Sequence, residues 1–594
     1  MLDKKEFEVL RYICESCENT SPNLIAEHTG YSLNIIKTVL EKLLQSGFID
    51  KLYYITNAGI KELEPFRVKN AIILAAGMST RFEPVSYELP KGLIAVKGEV
   101  MTERLIRQLQ EAGVREIVLV IGYMMEKFFY LRDKYNIKLV VNNEYAVKNT
   151  HSSIYAARDY LSSTYICCAD NYYPSNMFHQ YEYRAFYCSI YLDGTSYVER
   201  GFVFDDYDLI IDTNKPSCNQ WIMYGHAYYD QIFTDKFKPI LESYYGKNGV
   251  EQMYWETIYA ENVMQLPMYI KKCTSEDIYE FDNMDELKAF DKDYISNNKV
   301  KVFENICRIL CCDFADIKDI VPVKKGLNNR SFKFLCNGKY YIYRHPGGNA
   351  SNIIDRTKEA ISLRAAKRLK IDDTLIYIDE KEGWKISKYI DTCEEFDFSN
   401  VKHIQLLADN LKRLHKSNVQ IGFHFDYYKE ANRLIEIVRH IDGISYRELI
   451  AAQTKIKPVF DFLKYDPWNI SFCHNDLYAP NLLIEENKLH IIDWEFAGDS
   501  DIGFDICKLF AVYNPEYEKI DDYLIYYYGR PTTDSEKRHL FACAAIIYYY
   551  WFIWGVYASK TDGNVTEYVM IWHDKMNQYC DEVLKYIKEN SLWK

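Results

Sequence analysis

The residues best suited to chemistry lie between Cys473 and Gly498, in the sequence CHNDLYAPNLLIEENKLHIIDWEFAG. Asn481 follows Asp476 by five residues, and an apolar hairpin then leads to Asp493. In phosphoryl transfer, the first Asp orients a substrate hydroxyl and accepts its proton, while the Asn and the second Asp hold Mg²⁺. We therefore predict ATP-dependent phosphorylation of an alcohol, with Asp476 as the catalytic residue and Asn481 and Asp493 as metal ligands. The alternative is an ordinary surface turn followed by a charged hairpin.

A second candidate site is predicted at residues 70–96, in the sequence NAIILAAGMSTRFEPVSYELPKGLIAV. An apolar strand leads directly into a loop of small residues, where backbone N–H groups can approach the phosphates of a nucleotide. Arg81 and Lys91 follow, and we predict that they are catalytic because they supply positive charge for a triphosphate. The backbone predicted to bind the nucleotide is that of Leu74, Ala75, Ala76 and Gly77.

Alternating helices and strands follow this loop. The periodicity predicts a helix at 102–112 and strands at 116–121, 137–141 and 164–169, the last ending at Asp170. The carboxyl ends of parallel strands form the edge at which such sheets bind ligands. We therefore predict an α/β doubly wound domain in which Asp170 is a Mg²⁺ ligand.

The motifs LAAGMSTRF and ELPKGL resemble those of GT-A-like nucleotidyltransferases, although Ser79 stands where that family often has Gly. The sequences NNEYAVKNTHSSIYAA, CADNYY and MYWETIYAENV extend the resemblance to bacterial CTP:phosphocholine cytidylyltransferases. The resemblance implies that Asp282 is a second Mg²⁺ ligand, the alternative being a helix N-cap. It also implies that Tyr254, Trp255 and Glu256 hold a trimethylammonium group, which binds aromatic faces and carboxylates because it cannot donate hydrogen bonds. The alternative for these three residues is an amphipathic helix with its aromatic side chains in the core.

A second catalytic domain is indicated by residues 326–348, GLNNRSFKFLCNGKYYIYRHPGG. They predict a hairpin whose second strand ends at Arg344, followed by a helix that carries Glu359. This arrangement resembles the small lobe of choline and aminoglycoside kinases, where a basic strand residue meets nucleotide phosphates and pairs with a helix acid. The resemblance implies nucleotide-binding roles for Arg344 and Glu359. The turn contains Gly326 and has fewer glycines than kinase phosphate loops usually have.

An aromatic run, YYYWFIWGVYA, occupies residues 548–558. Similar runs in choline kinases place aromatic side chains around choline, and the resemblance implies that role for Trp551, Trp554 and Tyr557. The uncharged run that contains these residues is just long enough to cross a membrane. Its Tyr, Trp and Gly content favours a buried helix instead, so we predict no membrane span.

Residues 1–66 contain apolar positions at helical spacing, followed by SGFIDKLYYITNAGIKEL, which predicts a short β-wing and a closing helix. The region resembles a winged helix-turn-helix of bacterial regulators. It has 7 Lys and Arg against 10 Asp and Glu, so nucleic acid binding is not favoured over docking, dimerisation or regulation.

The length and composition of the chain indicate how many domains it has and where it is located in the cell. A chain of 594 residues exceeds what one core serves. We predict an α/β multi-domain protein with a winged helix domain at 1–66, a GT-A-like doubly wound nucleotidyltransferase domain at 67–296 and a bilobal protein-kinase-like domain at 297–594. The net charge of −13 provides no global basic field for nucleic acid. The 16 cysteines lack framework spacing and no secretory signal precedes them, which predicts a cytoplasmic protein.

Together these motifs predict a bifunctional enzyme of CDP-choline synthesis. One domain would phosphorylate choline with ATP, and the other would transfer CMP from CTP to phosphocholine and release pyrophosphate, with Mg²⁺ in both active sites. One alternative is a sugar-1-phosphate nucleotidyltransferase fused to an ethanolamine or aminoglycoside-type kinase. Another is a metabolite-sensing DNA-binding regulator. The sequence leaves open whether the chain forms a homo-oligomer.

Overall fold

The structure is a computed structural model that describes residues 2–16, 20–194, 200–214, 219–323, 329–346, 354–391, 393–440, 446–466, 468–513, 515–561 and 566–589. The chain divides into two compact units, residues 1–304 and 305–594. The division into three domains, with boundaries after residues 66 and 296, stays a prediction. Gly326, predicted to lie in the phosphate-binding turn, is outside the described residues.

The first unit begins with short helices around an apolar core. Asp3 starts the first helix with a capping box that includes Glu6. Ile49 and Ile55 form an antiparallel bridge in the segment predicted as a wing. Tyr181, from much later in the chain, is buried in the same core. The helices are α1 (Lys4–Glu15), α2 (Pro22–Thr29), α3 (Leu33–Gln45) and α4 (Asn57–Leu63).

The rest of the first unit is an α/β fold. Its strands are β1 (Asn70–Ala75), β2 (Ala95–Val96), β3 (Glu99–Val100), β4 (Glu116–Ile121), β5 (Lys138–Val141), β6 (Thr164–Cys168), β7 (Asn171–Tyr172), β8 (Phe186–Leu192), β9 (Gly201–Phe204), β10 (Ile210–Asn214), β11 (Gln220–Tyr229), β12 (Tyr269–Cys273) and β13 (Tyr279–Glu280). Its helices are α5 (Met101–Glu111), α6 (Phe129–Tyr135), α7 (Thr150–Ala156), α8 (Gln231–Tyr244), α9 (Trp255–Glu261), α10 (Met284–Phe290) and α11 (Tyr294–Asn298). The unit boundary falls within α12 (Lys301–Leu310).

The main sheet of this unit has the order β10-β9-β11-β6-β1-β4-β5, and β8 pairs with both β11 and β12. Strands β6, β1, β4 and β5 are parallel, as predicted, whereas β11 runs antiparallel to β6. The predicted strand at 116–121 is confirmed as β4, and the predicted helix at 102–112 is confirmed as α5 with its ends one residue earlier. The carboxyl ends of β1 and β6 therefore lie side by side and carry the loops of the first candidate site.

The second unit combines a sheet-containing part with a largely helical part. Its strands are β14 (Lys318–Val323), β15 (Asn329–Cys336), β16 (Lys339–Pro346), β17 (Leu375–Ile378), β18 (Lys385–Lys388), β19 (Cys393–Glu395), β20 (Ile470–Cys473), β21 (Leu482–Glu485), β22 (Lys488–Ile491) and β23 (Gly498–Asp501). Its helices are α13 (Arg356–Arg368), α14 (Val401–His415), α15 (Tyr427–Val438), α16 (Tyr446–Tyr465), α17 (Gly503–Ile506), α18 (Lys508–Ala511), α19 (Ile520–Tyr528), α20 (Asp534–Thr561) and α21 (Thr566–Glu589).

Three sheets position the second candidate site. One has the order β14-β15-β16-β18-β17, which includes the predicted hairpin, and α13 follows it in sequence. The second joins β19 to the hairpin β21-β22, and the third pairs β20 with β23. The loop that contains Asp476 therefore leaves one sheet at Cys473 and enters the next at Leu482.

Helix α20 includes a segment, Asp534–Ser559, that is long and apolar enough to cross a membrane. The structure buries 83% of its most apolar window among the other described residues of the protein. That burial is the pattern of a core helix, which passes the same test of length and composition.

Candidate active sites

In the first unit, the predicted nucleotide loop follows a fully buried strand. All residues of β1, which include Leu74 and Ala75, are buried, and the chain then enters the loop at Ala76. Among the described residues, no heavy atom lies within 4 Å of the position that a Cβ would take at Gly77. A phosphate can therefore approach the backbone at Gly77 without meeting a side chain.

Ser79 has a backbone φ of 55°, in the left-handed region that favours glycine. This explains why the resembled family often has Gly at this position. The Ser79 hydroxyl accepts a hydrogen bond from the backbone N–H of Lys91 at 3.3 Å. The serine thus gives a contact between the two parts of the loop that glycine could not give.

The two predicted cations each contact one of the two predicted metal ligands. Lys91 Nζ lies 2.8 Å from Asp170 Oδ2, and Arg81 NH1 lies 2.9 Å from Asp282 Oδ1. Burial alone would lower the pKa of Lys91, but the attraction and hydrogen bond of Asp170 outweigh it and raise that pKa. Lys91 therefore stays positively charged at neutral pH, as a group that stabilises a triphosphate must.

A short strand pair brings the two acids to the same place. Strand β13 pairs antiparallel with β7, and Glu280 lies opposite Asn171. Asp170 precedes β7 and Asp282 follows β13, so both stand at adjoining strand ends. The side chain that caps α10 is that of Asn283, which accepts hydrogen bonds from two backbone N–H groups. The N-cap alternative for Asp282 is therefore wrong, and the Asp282 carboxylate faces Arg81 instead.

The predicted trimethylammonium residues begin α9. Trp255 is buried and stacks on Tyr187, with ring centroids 5.6 Å apart. The Tyr187 hydroxyl donates a hydrogen bond to Glu256 Oε1 at 3.3 Å, whereas Tyr254 is half exposed. The burial of Trp255 matches the amphipathic-helix alternative, because Trp255 packs in the core of this unit. The arrangement still places an aromatic pair beside a carboxylate, and Tyr187 is the member that the sequence did not indicate.

In the second unit, the loop that carries Asp476 is held by buried hydrogen bonds. The Asp505 carboxylate accepts bonds from the backbone N–H groups of His474 and Asn475 at 2.9 and 2.8 Å. The Tyr427 hydroxyl donates to the carbonyl oxygen of Asn475. Asn475 has a φ of 68°, in the left-handed region that Asn enters more readily than most other residues. These hydrogen bonds hold the loop in the conformation described here.

Asp476 and Asn481, predicted as catalytic residue and metal ligand, are in direct contact. Asn481 Nδ2 donates to Asp476 Oδ2 at 3.1 Å. Burial raises the pKa of Asp476 to about 7, against the opposing effect of Lys508. A carboxyl group with a pKa near neutrality suits proton acceptance from an alcohol. The buried Lys508, which the sequence reasoning missed, is the nearby positive charge that favours its ionised form.

The predicted pair of Arg344 and Glu359 is a two-pronged ion pair with distances of 2.5 and 2.7 Å. Arg344 NH1 also lies 3.5 Å from Asp493 Oδ1, and Lys385 Nζ lies 3.5 Å from the same oxygen. Burial would raise the pKa of Glu359, but Arg344 and Lys385 outweigh it and hold that pKa at about 2. The pair is therefore charged at neutral pH and joins β16 and α13 to the predicted metal ligand.

Glu495 lies next to the Arg344–Glu359 pair, with its carboxylate 3.9 Å from Arg344 NH1. Burial, Asp493 and Glu359 raise the pKa of Glu495 to about 8. Arg356 NH1 lies 3.7 Å from Glu495 and 2.9 Å from Glu359. Arg344 and Lys385 therefore contact Asp493, while Glu495 and Asp493 repel each other. A bound cation would reduce the repulsion between these two acids.

The predicted choline residues of α20 take part in a cluster of tryptophans. Trp551 and Trp554 have ring centroids 5.4 Å apart, and Trp572 of α21 lies 5.9 and 6.2 Å from them. Trp551 also contacts Phe496, which follows Glu495 in the chain. Tyr557 is partly buried in the same core. Trp554 is buried and the three rings pack against one another, so an organic cation could contact only the ring faces that this packing leaves open.

The sequence reasoning missed several residues, of which Arg356 and Glu280 lie close in sequence to the predicted Glu359 and Asp282 and the others join a site through a more distant element. The four-residue spacing of Tyr568 and Trp572 could have predicted an aromatic face on α21. The alternating residues after Gly383 could have predicted a strand that contains Lys385. The missed residues are Tyr187, Glu280, Arg356, Lys385, Lys508 and Trp572.

Both sites have donor sets that fit Mg²⁺. In the first, Asp170 and Asp282 are joined by Glu280, and in the second, Asp493 lies near Asp476 and Asn481. Carboxylate and amide oxygens are the ligands that Mg²⁺ prefers. In each site a Lys or Arg already contacts the acids, so the charge of the acids is partly balanced in the structure described here.

Comparison with known proteins identifies two enzyme domains. Residues 320–545 match the choline/ethanolamine kinase family, and residues 71–185 match the MobA-like NTP transferase domain family. The choline-phosphate cytidylyltransferase of Streptococcus pneumoniae is 31% identical over 225 residues, which are 37% of this chain and 96% of that protein. The 2-aminoethylphosphonate cytidylyltransferase of Lancefieldella rimae is 35% identical over 230 residues, 38% of this chain and 93% of that protein.

Among solved structures, a choline kinase matches about half of the chain at low identity. The choline kinase LicA of Streptococcus pneumoniae is 18% identical, covers 48% of this chain and 99% of its own, and has a TM-score of 0.42. The family models and the cytidylyltransferase relatives carry the assignment. The chain therefore belongs to the family of the choline-phosphate cytidylyltransferases, and it carries a choline kinase domain in the same polypeptide.

Proposed function

We propose that this chain makes CDP-choline in two steps at two separate active sites. The second unit would phosphorylate choline with ATP, and the first would transfer CMP from CTP to the phosphocholine. The tryptophan cluster of Trp551, Trp554 and Trp572 is the observation that carries the choline assignment. A quaternary ammonium binds aromatic faces, whereas a primary ammonium would need several carboxylates.

In the kinase step, Asp476 orients the choline hydroxyl and accepts its proton as the oxygen attacks the γ-phosphorus of ATP. The hydrogen bond from Asn481 fixes the Asp476 carboxylate. Arg344, held by Glu359, and Lys385 present positive charge next to Asp493. Mg²⁺ held by Asn481 and Asp493 would balance the phosphate charge.

In the cytidylyl step, an oxygen of phosphocholine attacks the α-phosphorus of CTP and pyrophosphate leaves. Lys91 and Arg81 neutralise the charge that develops on the triphosphate. The backbone from Leu74 to Gly77 cradles phosphates, and Mg²⁺ would be held by Asp170 and Asp282. The phosphate nucleophile is already ionised at neutral pH, so this site needs little acid or base catalysis.

The phosphocholine headgroup would lie against Tyr187, Trp255 and Glu256. The carboxylate of Glu256 is oriented by the Tyr187 hydroxyl and supplies the charge that a quaternary ammonium needs. Tyr254, exposed at the start of the same helix, would close on the headgroup from the solvent side. One relative is a 2-aminoethylphosphonate cytidylyltransferase, so the identity of the headgroup should be tested first.

The direct experiment supplies the full chain with choline, ATP, CTP and Mg²⁺ and detects CDP-choline and pyrophosphate. Parallel reactions replace choline by ethanolamine, or supply 2-aminoethylphosphonate or a sugar 1-phosphate with CTP. We expect CDP-choline as the main product. Turnover of one of the other substrates with no CDP-choline would overturn the substrate assignment.

We also propose that residues 1–66 form a winged helix module used for docking or regulation in a cytoplasmic enzyme. Arg11 lies 3.2 Å from the buried Glu182, and Glu15 lies 2.9 Å from His179, so α1 is already engaged within the first unit. The Tyr165 hydroxyl donates to the same Glu182 at 2.7 Å. Binding of this module to DNA is not favoured because its acids outnumber its bases. Light scattering of the purified chain would show whether the module forms a homo-oligomer.

A further inference from the structure

A cluster of three different metal-binding side chains lies outside both active sites. Asp501 ends β23, and His539 and Cys543 are four residues apart on α20, so they share one face of that helix. One ligand atom from each of the three residues lies within 4.8 Å of the other two. His539 and Cys543 are fully buried, and Asp501 is partly exposed.

The orientation of the His539 ring is fixed from two sides. Its Nδ1 lies 3.3 Å from Asp466 Oδ2, and its Nε2 lies 3.2 Å from Asp501 Oδ1. Trp468 stacks on the ring at 3.8 Å with an angle of 2°. Histidines that bind metals commonly donate their other N–H to a carboxylate, which is the place of Asp466 here. If the ring proton is on Nδ1, which faces Asp466, then the lone pair of Nε2 faces the Asp501 carboxylate. A cation between Nε2 and Asp501 Oδ1 would be attracted to both atoms.

A glycine makes room for the three side chains to converge. A Cβ at Gly503 would lie 2.8 Å from Cys543 Sγ and 3.0 Å from both Asp501 Oδ1 and His539 Cδ2. Any larger residue at position 503 would therefore push all three apart. Two features therefore bring the three side chains together: the contacts that orient the His539 ring, and the space left by the missing side chain of Gly503.

We propose that Asp501, His539 and Cys543 bind a zinc ion that ties β23 to α20. Thiolate, imidazole and carboxylate are the ligands of Zn²⁺, with bonds of about 2.0–2.3 Å, whereas Mg²⁺ prefers oxygen alone. Binding replaces the thiol proton of Cys543, which leaves to solvent.

The position of the ion gives it a structural role. Strand β23 pairs with β20, which leads into the loop that carries Asp476. Helix α20 carries Trp551 and Trp554 further along. An ion between them would hold the proposed choline-binding helix to the strand pair under the catalytic loop.

A neighbouring group, His415, Cys473 and Asp505, has similar ligand types. Both carboxylates accept backbone hydrogen bonds, Asp501 from Gly503 at 2.8 Å and from Trp468 at 3.2 Å, but only those of Asp505 hold the loop that carries Asp476. Asp505 accepts hydrogen bonds from the backbone of the catalytic loop, and His415 Nδ1 contacts the Tyr527 hydroxyl at 2.8 Å. A metal there would have to break the bonds that order the loop. The cluster around His539 is therefore the one we assign to zinc.

The test uses the full chain, purified without chelators, loaded with Zn²⁺ and freed of excess ion. Elemental mass spectrometry should find about one zinc per chain in the wild type. Cys543→Ala should lose that zinc, whereas Cys507→Ala, a change at another buried cysteine, should keep it. Absence of zinc from the loaded wild type, or equal zinc in Cys543→Ala, would overturn the proposal. Loss of zinc in Cys473→Ala but not in Cys543→Ala would also overturn it, by placing the ion in the neighbouring group.

A milder variant guards against a folding defect in Cys543→Ala. Asp466→Asn leaves all three ligands in place and should weaken zinc binding about 10–100-fold in competition with a coloured chelator. Replacement of zinc by Co²⁺ adds a spectroscopic test, because a thiolate ligand gives a charge-transfer absorption band. That band should appear in the wild type and in Cys507→Ala. Unchanged affinity in Asp466→Asn together with no thiolate band in the wild type would refute the site.

Discussion

The Arg–carboxylate pairs of the two active sites lie at very different depths, although Lys91 and Asp170 of the cytidylyl site are only 12% and 27% exposed. In the kinase site, the side chains of Arg344 and Glu359 are 4% and 0% exposed, whereas Arg81 and Asp282 in the cytidylyl site are 69% and 51% exposed. Buried charges are fixed by their partners before any substrate arrives, while exposed ones are screened by water and free to move. The Arg344–Glu359 pair is thus fixed by its partners, whereas Arg81 and Asp282 are free to move in response to a ligand.

The largest expected effect separates the two activities. Asp476→Asn should lower the rate of choline phosphorylation by about 10²–10⁴-fold, because the base that accepts the hydroxyl proton is lost. It should leave CDP-choline formation from added phosphocholine unchanged. Asp170→Asn should do the reverse, and separate assays of phosphocholine and pyrophosphate measure both. Loss of both activities in either variant would contradict two independent sites.

The next largest effect concerns stability and tests the difference in depth directly. Arg344→Met should destabilise the kinase unit by about 3 kcal/mol, because Glu359 keeps its buried charge with fewer partners. Arg81→Met should cost at most about 1 kcal/mol, as expected for an exposed pair. Hydrogen exchange measured by mass spectrometry reports on peptides of each unit separately. Similar costs for the two variants would mean that burial does not distinguish the sites.

A third effect is a pH dependence confined to the kinase step. Burial raises the pKa of Asp476 to about 7, so the proton-accepting carboxylate is lost as the pH falls through that value. The kinase rate should fall as the pH drops below about 7, by at most about fivefold from about pH 7 to about pH 6, because Mg²⁺ bound by Asn481 and Asp493 would lower the pKa of Asp476. The cytidylyl rate should change less, because the raised pKa of Lys91 keeps that group charged. Parallel rate profiles at saturating substrate would decide, and identical profiles would contradict the role of Asp476.

The same group sets the sign of a stability change. The pKa of Asp476 lies above its ordinary value of 3.8, so the folded state holds the proton more tightly and stability falls as the pH rises toward about 7. Asp476→Asn removes this loss. In Mg²⁺-free buffer the variant should therefore be more stable than the wild type at about pH 8, with a smaller difference near pH 5.

The smallest effect tests the residue that the sequence did not indicate. Trp572→Ala should raise the KM for choline about two- to fivefold, since it removes one aromatic face of three. Trp572→Phe, which keeps an aromatic ring, should raise it less. Steady-state kinetics with choline as the varied substrate measure both, and equal KM values in Trp572→Ala and the wild type would remove α21 from the choline site.

Features that depend on a short stretch of sequence were predicted best. Strand β4 lies at the predicted residues because Ile117 to Ile121 is an apolar run ended by Gly122. Asp476, Asn481 and Asp493 were found by spacing along one short stretch. Lys385, Lys508 and Trp572 were missed because they reach the site only through packing of elements distant in sequence. The cap of α10 shows the same limit, since Asp282 and its neighbour Asn283 offer equal capping chemistry and the structure uses Asn283.

That both compact units belong to one polypeptide has a kinetic consequence. The two activities are present at equal concentration in every cell, whatever the level of expression. The steady pool of phosphocholine is then governed by the ratio of the two turnover numbers and by demand for the product. Substitutions that slow only the cytidylyl step would therefore make the intermediate accumulate, and no change in gene dosage could correct the imbalance.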